Sequence, residues 1–375
     1  MNKKEITEIK KRLKPEHNNI GHIYGCYFNS KKEIISVFDE STASMSKEEE
    51  EKYITLLKKS LSGSIGKNLV DLSFTTRQVM DSDEHRMLSA MRRTRLADPE
   101  VMNSFYKCVT ENLNTEDDCN YLALLAFDSY DVPKWDKNGE EAESSEVFNY
   151  ILCALCPVKN GKPALAFSKE DGRFAVLNLT QMVMPPVLGF MFPAFDDRAT
   201  NIYSALFYSK DIKGSHEDFI DAVFKTEVPM PAARQQEEFG SAVRETLQKE
   251  CTFEAVQTVH SELRNRIEAH KESKDPDALA LTYEEAADIL EKSGMSEELR
   301  ESFVGDCKER FGEKSILTPD NIINSKRFEI VTENAKIQID PQYSALVKTR
   351  IIDGHKYILI PAEAGAEVNG ISIDI

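Results

Sequence analysis

The 375-residue sequence predicts an α+β protein, with a mixed N-terminal α/β region, a helical middle and a small β-rich C-terminal module. Three observations carry this. Apolar, strand-like runs between Tyr121 and Tyr208 alternate with turn residues. Capped patterns of helical period fill Ala232 to Phe311. After Thr318 alternation returns, with Asp353-Gly354 and Asn369-Gly370 as two-residue hairpin turns. The same shifts divide the chain into domains at 1–228, 229–314 and 315–375, the first boundary lying beside Pro229 and Pro231.

Taken in order, Asn2 with Glu5 forms a capping-box pattern ahead of Ile6, Ile9 and Leu13, so the chain opens on an amphipathic helix. Ile20 to Phe28 and Glu33 to Phe38 then predict a hairpin across Asn29-Ser30-Lys31-Lys32. Ser46 and Glu49 open a second helix that closes near Gly63, and a strand follows over Leu69 to Thr75. Asp81 or Ser82 caps a helix that buries Met87, Leu88 and Met91, and Asp98-Pro99 starts another.

Strands are expected over Tyr121 to Phe127, Val147 to Val158, Ala164 to Phe167, Phe174 to Leu179 and Ile202 to Tyr208, with a turn at Asp171-Gly172. The acidic stretch Asp131 to Glu146 has little to bury and is expected to be a mobile surface loop. Two long helices follow, from Ala232 to about Lys249 and from Phe253 to about His270. Thr282 with Glu285 opens a short helix, Ser296 another, and strands close the chain.

A net charge of -17 excludes a uniformly basic coat for nucleic acid, and no apolar run is long enough to span a membrane. Met1-Asn2-Lys3-Lys4 leads into acids rather than an apolar stretch, and the seven cysteines are scattered, so a cytoplasmic location with reduced thiols is expected.

Cys153 and Cys156 have zinc-like spacing, but three residues along a strand point to opposite faces, which implies two structural thiols. Gly63-Ser64-Ile65-Gly66-Lys67 lacks the spacing of a phosphate loop and is better explained as a helix end. Asp196-Asp197-Arg198 suits a salt-linked turn, and His260 and His270 stand too far apart on one helix to share a metal. The turn Ser293-Gly294-Met295-Ser296 fits a helix-turn-helix, yet its second helix carries excess acid, which phosphates oppose. A plain helical hairpin accounts for it.

Two local basic surfaces remain for a polyanion. Lys10, Lys11 and Arg12 lie on the first helix, and Arg86, Arg92, Arg93 and Arg95 lie on the helix after Ser82. Asp81, Asp83 and His85 supply hard oxygens and one nitrogen for a divalent cation, although acids at a helix start are expected for capping alone.

The stretches Lys3-Lys4-Glu5-Ile6 through Ile23-Tyr24-Gly25-Cys26-Tyr27, Gln78-Val79-Met80-Asp81-Ser82-Asp83-Glu84-His85-Arg86, and Tyr150-Ile151-Leu152-Cys153 to Cys156-Pro157-Val158 resemble an uncharacterised domain-of-unknown-function family of Gram-positive bacteria. The resemblance runs nearly end to end and implies no activity. The order of parts is also similar, more loosely, to the bacterial nucleoid-associated protein family.

The resulting expectation is a non-catalytic cytoplasmic interaction protein without a cofactor, associated with nucleic acid through its basic helices, or with itself as a homo-oligomer, or with another protein. The alternatives are a divalent-metal hydrolase or nuclease using Asp81, Asp83 and His85, and a pure protein scaffold.

Overall fold

The computed structural model describes the chain except residues 115–118, 136–140, 143–145, 162–163, 169–171, 178–180, 228, 274, 276–278, 314–315, 364 and 375. It is α+β. One compact unit comprises Met1–Pro231, and a second comprises Ala232–Asp275 and Leu279–Ile375.

The first unit is built on an antiparallel sheet of β1 (His22–Phe28), β2 (Ile34–Ser41), β3 (Leu69–Ser73), β4 (Asn120–Asp131), β5 (Val147–Asn160), β6 (Leu188–Phe192) and β7 (Ser204–Ser209). Their spatial order is β2-β1-β4-β5-β6-β7-β3, and Gln181–Val183 pairs with the far end of β5. Helices cover both faces. On one side α1 (Lys3–Arg12) and α2 (Lys47–Lys59) bury Ile6, Ile9, Ile54 and Leu57 against Leu124, Tyr150, Leu152 and Leu206. On the other, after the short α3 (Thr76–Asp81), lie α4 (Asp83–Arg93), α5 (Pro99–Asn112) and α6 (Glu217–Phe224), which pack Leu88, Met91, Phe105 and Phe219 against Leu125, Ile151, Phe190 and Phe207. A sheet with two apolar faces must be covered twice. Each fully buried Leu or Phe contributes about 1.5–3 kcal/mol relative to exposure.

Cys153 falls in one core and Cys156 in the other, as strand alternation requires. The capping box of α1 forms, with Asn2 Oδ1 accepting from the amides of Lys4 and Glu5 and the Glu5 carboxylate accepting from the Asn2 amide. Two elements depart from expectation. Thr75 and Gln78 make a second capping box that opens α3 before Ser82 caps α4. The apolar run after Met182-Val183-Met184-Pro185-Pro186, which sequence patterning assigns to no element, is β6, whose five residues are all buried.

The expected mobile loop lies partly outside the described residues. Within it, Lys134–Trp135 pairs with Glu141–Ala142. The expected strands at Ala164 and Phe174 form a hairpin, Ala164–Ser168 with Arg173–Leu177.

The second unit contains α7 (Ala232–Leu247), α8 (Phe253–Ser273), α9 (Tyr283–Lys292) and α10 (Glu297–Phe311), whose core includes Phe239, Leu263, Leu290 and Phe303, followed by the short α11 (Pro319–Ile322). Three hairpins follow: β8 (Phe328–Val331) with β9 (Lys336–Ile339), β10 (Lys348–Ile352) with β11 (His355–Leu359), and β12 (Ala366–Val368) with β13 (Ile371–Ile373). Both residues of each turn Asp353-Gly354 and Asn369-Gly370 have positive φ, the left-handed pair that a type I′ turn needs. A small core of Phe328, Ile330 and Val347, joined by Phe253 and Ile358, anchors the first two hairpins on α8.

Candidate functional site

Six of the seven basic residues singled out above lie on opposite sides of the sheet, because α1 belongs to one helical layer and α4 to the other, while Arg95 follows the end of α4 at positive φ rather than lying on the helix. Arg12 is drawn inward. Its Nη2 lies 3.4 Å from both carboxylate oxygens of Asp128 and donates to Ser129 O at 3.1 Å, with the guanidinium 4.3 Å over the Tyr130 ring. Asp128 is buried and also accepts from Tyr150 Oη at 2.6 Å, the Asn19 amide at 2.8 Å and its neighbour's amide at 2.9 Å. A buried carboxylate demands such donors, so Arg12 fastens α1 to β4 rather than awaiting a ligand.

Lys10 Nζ reaches Ser62 Oγ at 3.3 Å, and Lys11 is exposed. Lys58 Nζ donates to Leu13 O at 3.3 Å; burial lowers its pKa, with Lys14 and Lys10 adding to the effect. Lysines here stand at the C-terminal ends of α1 and α2, where the helix dipoles favour positive charge.

Beside Arg12, Arg198 binds Glu8 through Nε at 3.1 Å and Nη2 at 2.9 Å, and Tyr130 Oη donates to Glu8 Oε1 at 2.6 Å. Burial would raise the Glu8 pKa, but Arg198 and Tyr130 outweigh it and hold the carboxyl below its usual range. Asp196-Asp197-Arg198 is thus a salt-linked turn, with Asp197 and Arg198 both at positive φ.

On the other face, Arg86 is paired with Asp83 at 2.6 Å on the surface of α4. Arg92 is half-buried and desolvation lowers its pKa, Arg93 is exposed, and Arg95 stacks 5.6 Å over the Phe127 ring. Asp81 and Asp83 are exposed, whereas His85 is buried between the edges of Phe74 and Phe192, its Nε2 2.9 Å from Ile202 O. The imidazole therefore serves the core. Among the described residues no group of three His, Cys, Asp or Glu side chains is placed to hold a metal ion. In the second unit Arg300 of α10 bridges Asp288 at 2.5 Å and Glu291 at 2.8 Å, and Arg310 bridges Asp306, Glu238 and Glu245 at 2.7–2.9 Å. Both arginines of the would-be recognition helix are thus engaged by acids of the same unit.

A cleft of about 710 Å³ opens where the end of α5 meets the start of α6, lined by Asn112, Asn114, Tyr121, Lys210, Asp211 and His216 among others. Sequence reasoning missed it, because its walls come from segments a hundred residues apart. Ser209 Oγ lies 2.8 Å from His216 Nε2 and donates its one proton to Asp211 O at 2.7 Å. His216 Nε2 must then be the donor in their contact, so Ser209 is not poised as a nucleophile. The pair instead closes a tight turn, in which a Cβ on Gly214 would come within 3.0 Å of His216 Nε2. Three of the thiols are poor nucleophiles: burial pushes Cys26 and Cys156 up to about 12 and Cys153 well above its ordinary value.

These features define an α+β protein with a doubly covered antiparallel sheet and a helical unit ending in hairpins. The chain belongs to the family described as Domain of unknown function (DUF4317), whose model matches residues 1–371. No curated protein matches it. Among the described residues no helix is long and apolar enough to cross a membrane.

Proposed function

We propose that this is a non-catalytic cytoplasmic scaffold that works through contacts with protein rather than with nucleic acid. The observation that carries the reading is the placement of the basic residues. A duplex lying along one surface cannot meet α1 and α4 together when the sheet separates them, and Arg12, Arg86 and Arg95 already have partners. The C-terminal hairpins support it from the other side, since Ile351, Tyr357, Val368 and Ile371 are all exposed. Unpaired thiols throughout suit a reducing compartment.

Fluorescence anisotropy with labelled duplex DNA and RNA tests the choice. The full chain is expected to show no salt-dependent binding at physiological ionic strength, and in-cell cross-linking is expected to join Lys348 and Lys356 to protein. Duplex affinity that collapses in Lys10→Glu/Lys11→Glu or Arg92→Glu/Arg93→Glu would refute the reading.

A further inference from the structure

We propose that two copies of this chain associate through their C-terminal hairpins, β12–β13 of one packing on the outward face of β10–β11 of the other, and reciprocally. The inference deepens the protein-contact reading and rests on it.

The register of β12–β13 pairs Ala366 with Ile373 and Val368 with Ile371, so these four side chains share one face, while Glu367 and Ser372 occupy the other. Val368 is 51% exposed and Ile371 67%, so the apolar face is bare. A two-stranded hairpin is marginal in water without a covering layer. Its segment carries Glu363, Glu367 and Asp374 and no Lys or Arg, with Glu363 and Asp374 at the open end.

The neighbouring hairpin has the complementary character. Thr349 and Ile358 turn toward α8, where Thr349 Oγ1 bonds Glu254 at 3.0 Å and Ile358 joins the small core. The opposite face therefore presents Lys348 and Arg350 around Ile352, Tyr357 and Leu359. Along the whole hairpin Lys348, Arg350 and Lys356 stand against Asp353 alone.

A second copy is the occupant that this charge pattern favours. Packing two β12–β13 faces together would bring four acids around one apolar contact, whereas acidic hairpin on basic hairpin satisfies both charge and apolar surface. Two such contacts related by a two-fold axis close the assembly.

Sedimentation equilibrium of the full chain tests this, with circular dichroism as the check on folding; every substituted residue is exposed. The wild type is expected to be a dimer that weakens with salt. Lys348→Glu/Arg350→Glu and Glu363→Lys/Asp374→Lys are each expected to be monomeric alone and to form a heterodimer when mixed, since one contact is then native, the other has both charges reversed, and both match. Ile371→Ser/Ile373→Ser is expected to weaken association at least tenfold. A monomeric wild type, a dimer in either charge variant alone, or a mixture that stays monomeric overturns the inference. A monomeric wild type that still cross-links to other proteins leaves the protein-contact reading standing, whereas duplex binding removes that reading whatever the sedimentation shows.

Discussion

Asp128 is the residue on which the first unit's polar order depends. It is buried and acidic, and four groups of the chain donate to it, among them Arg12 from a helix more than a hundred positions earlier. Tyr150→Phe should lower stability by about 1–2 kcal/mol in urea denaturation, the cost of withdrawing one donor from a buried charge. Arg12→Ala should cost more, about 2–3 kcal/mol, and Arg12→Lys should recover little, because a single ammonium does not span both Asp128 and Ser129 O. Glu8 gives a pH signature. Its folded pKa is lowered from 4.5, so its contribution is present above the unfolded value and is lost as pH falls through the folded one. Glu8→Gln should therefore match the wild type at low pH, fall below it as pH rises from the folded pKa toward 4.5, and stay below by no more than about 1 kcal/mol at this half-exposed site at higher pH. None of these pairings was legible in the sequence. Local spacing carries no information on partners so distant, and for the same reason His85, a candidate ligand by composition, proves to be held within the core.

At the scale of elements, what the sequence announces best are helix starts. Asn2, Ser46, Ser82, Asp98 and Thr282 all cap the helices expected of them, because the signal is local and chemical. Strands buried on both faces are harder to read. Leu188 to Phe192 shows no alternation and is assigned no element by sequence patterning, yet it is an inner strand of the sheet. Its Gly189 marks how closely it is packed: a Cβ there would lie 2.6 Å from Cys153 O and 2.6 Å from Ser60 Cβ. Gly189→Ala should thus destabilise by about 1–3 kcal/mol. Gly240→Ala, in α7 with nothing within 4 Å, should stabilise by up to about 1 kcal/mol. Thermal melts of the two variants should move in opposite directions. The long strand β5 faces apolar surroundings on both sides, so burial alone says little about its register. Asp128 stands directly opposite Tyr150, and their hydrogen bond marks one alignment of β4 on β5 as correct.

For the molecule as a whole, composition and pattern were enough to place it in the α+β class, and strand alternation was enough to send Cys153 and Cys156 into separate cores. The side of the sheet on which each basic helix lies was not legible, since layer assignment depends on topology rather than on any local residue. That topology also decides where the backbone stays open. With helices over both faces, the two outermost strands of the sheet each leave one long edge without a strand partner. One of them, β3, is five residues long with Asp71 at its middle, which discourages further pairing. The other, β2, runs for eight residues and leaves Ile34, Ile35 and Val37 exposed. Ile35→Lys should slow the growth of turbidity on heating without moving the melting midpoint by more than a degree or two on the order expected for a surface change. The rim at β2 is thus where this fold is least defended against unwanted strand addition, and a cell holding much of the protein would have to keep that border occupied or dilute.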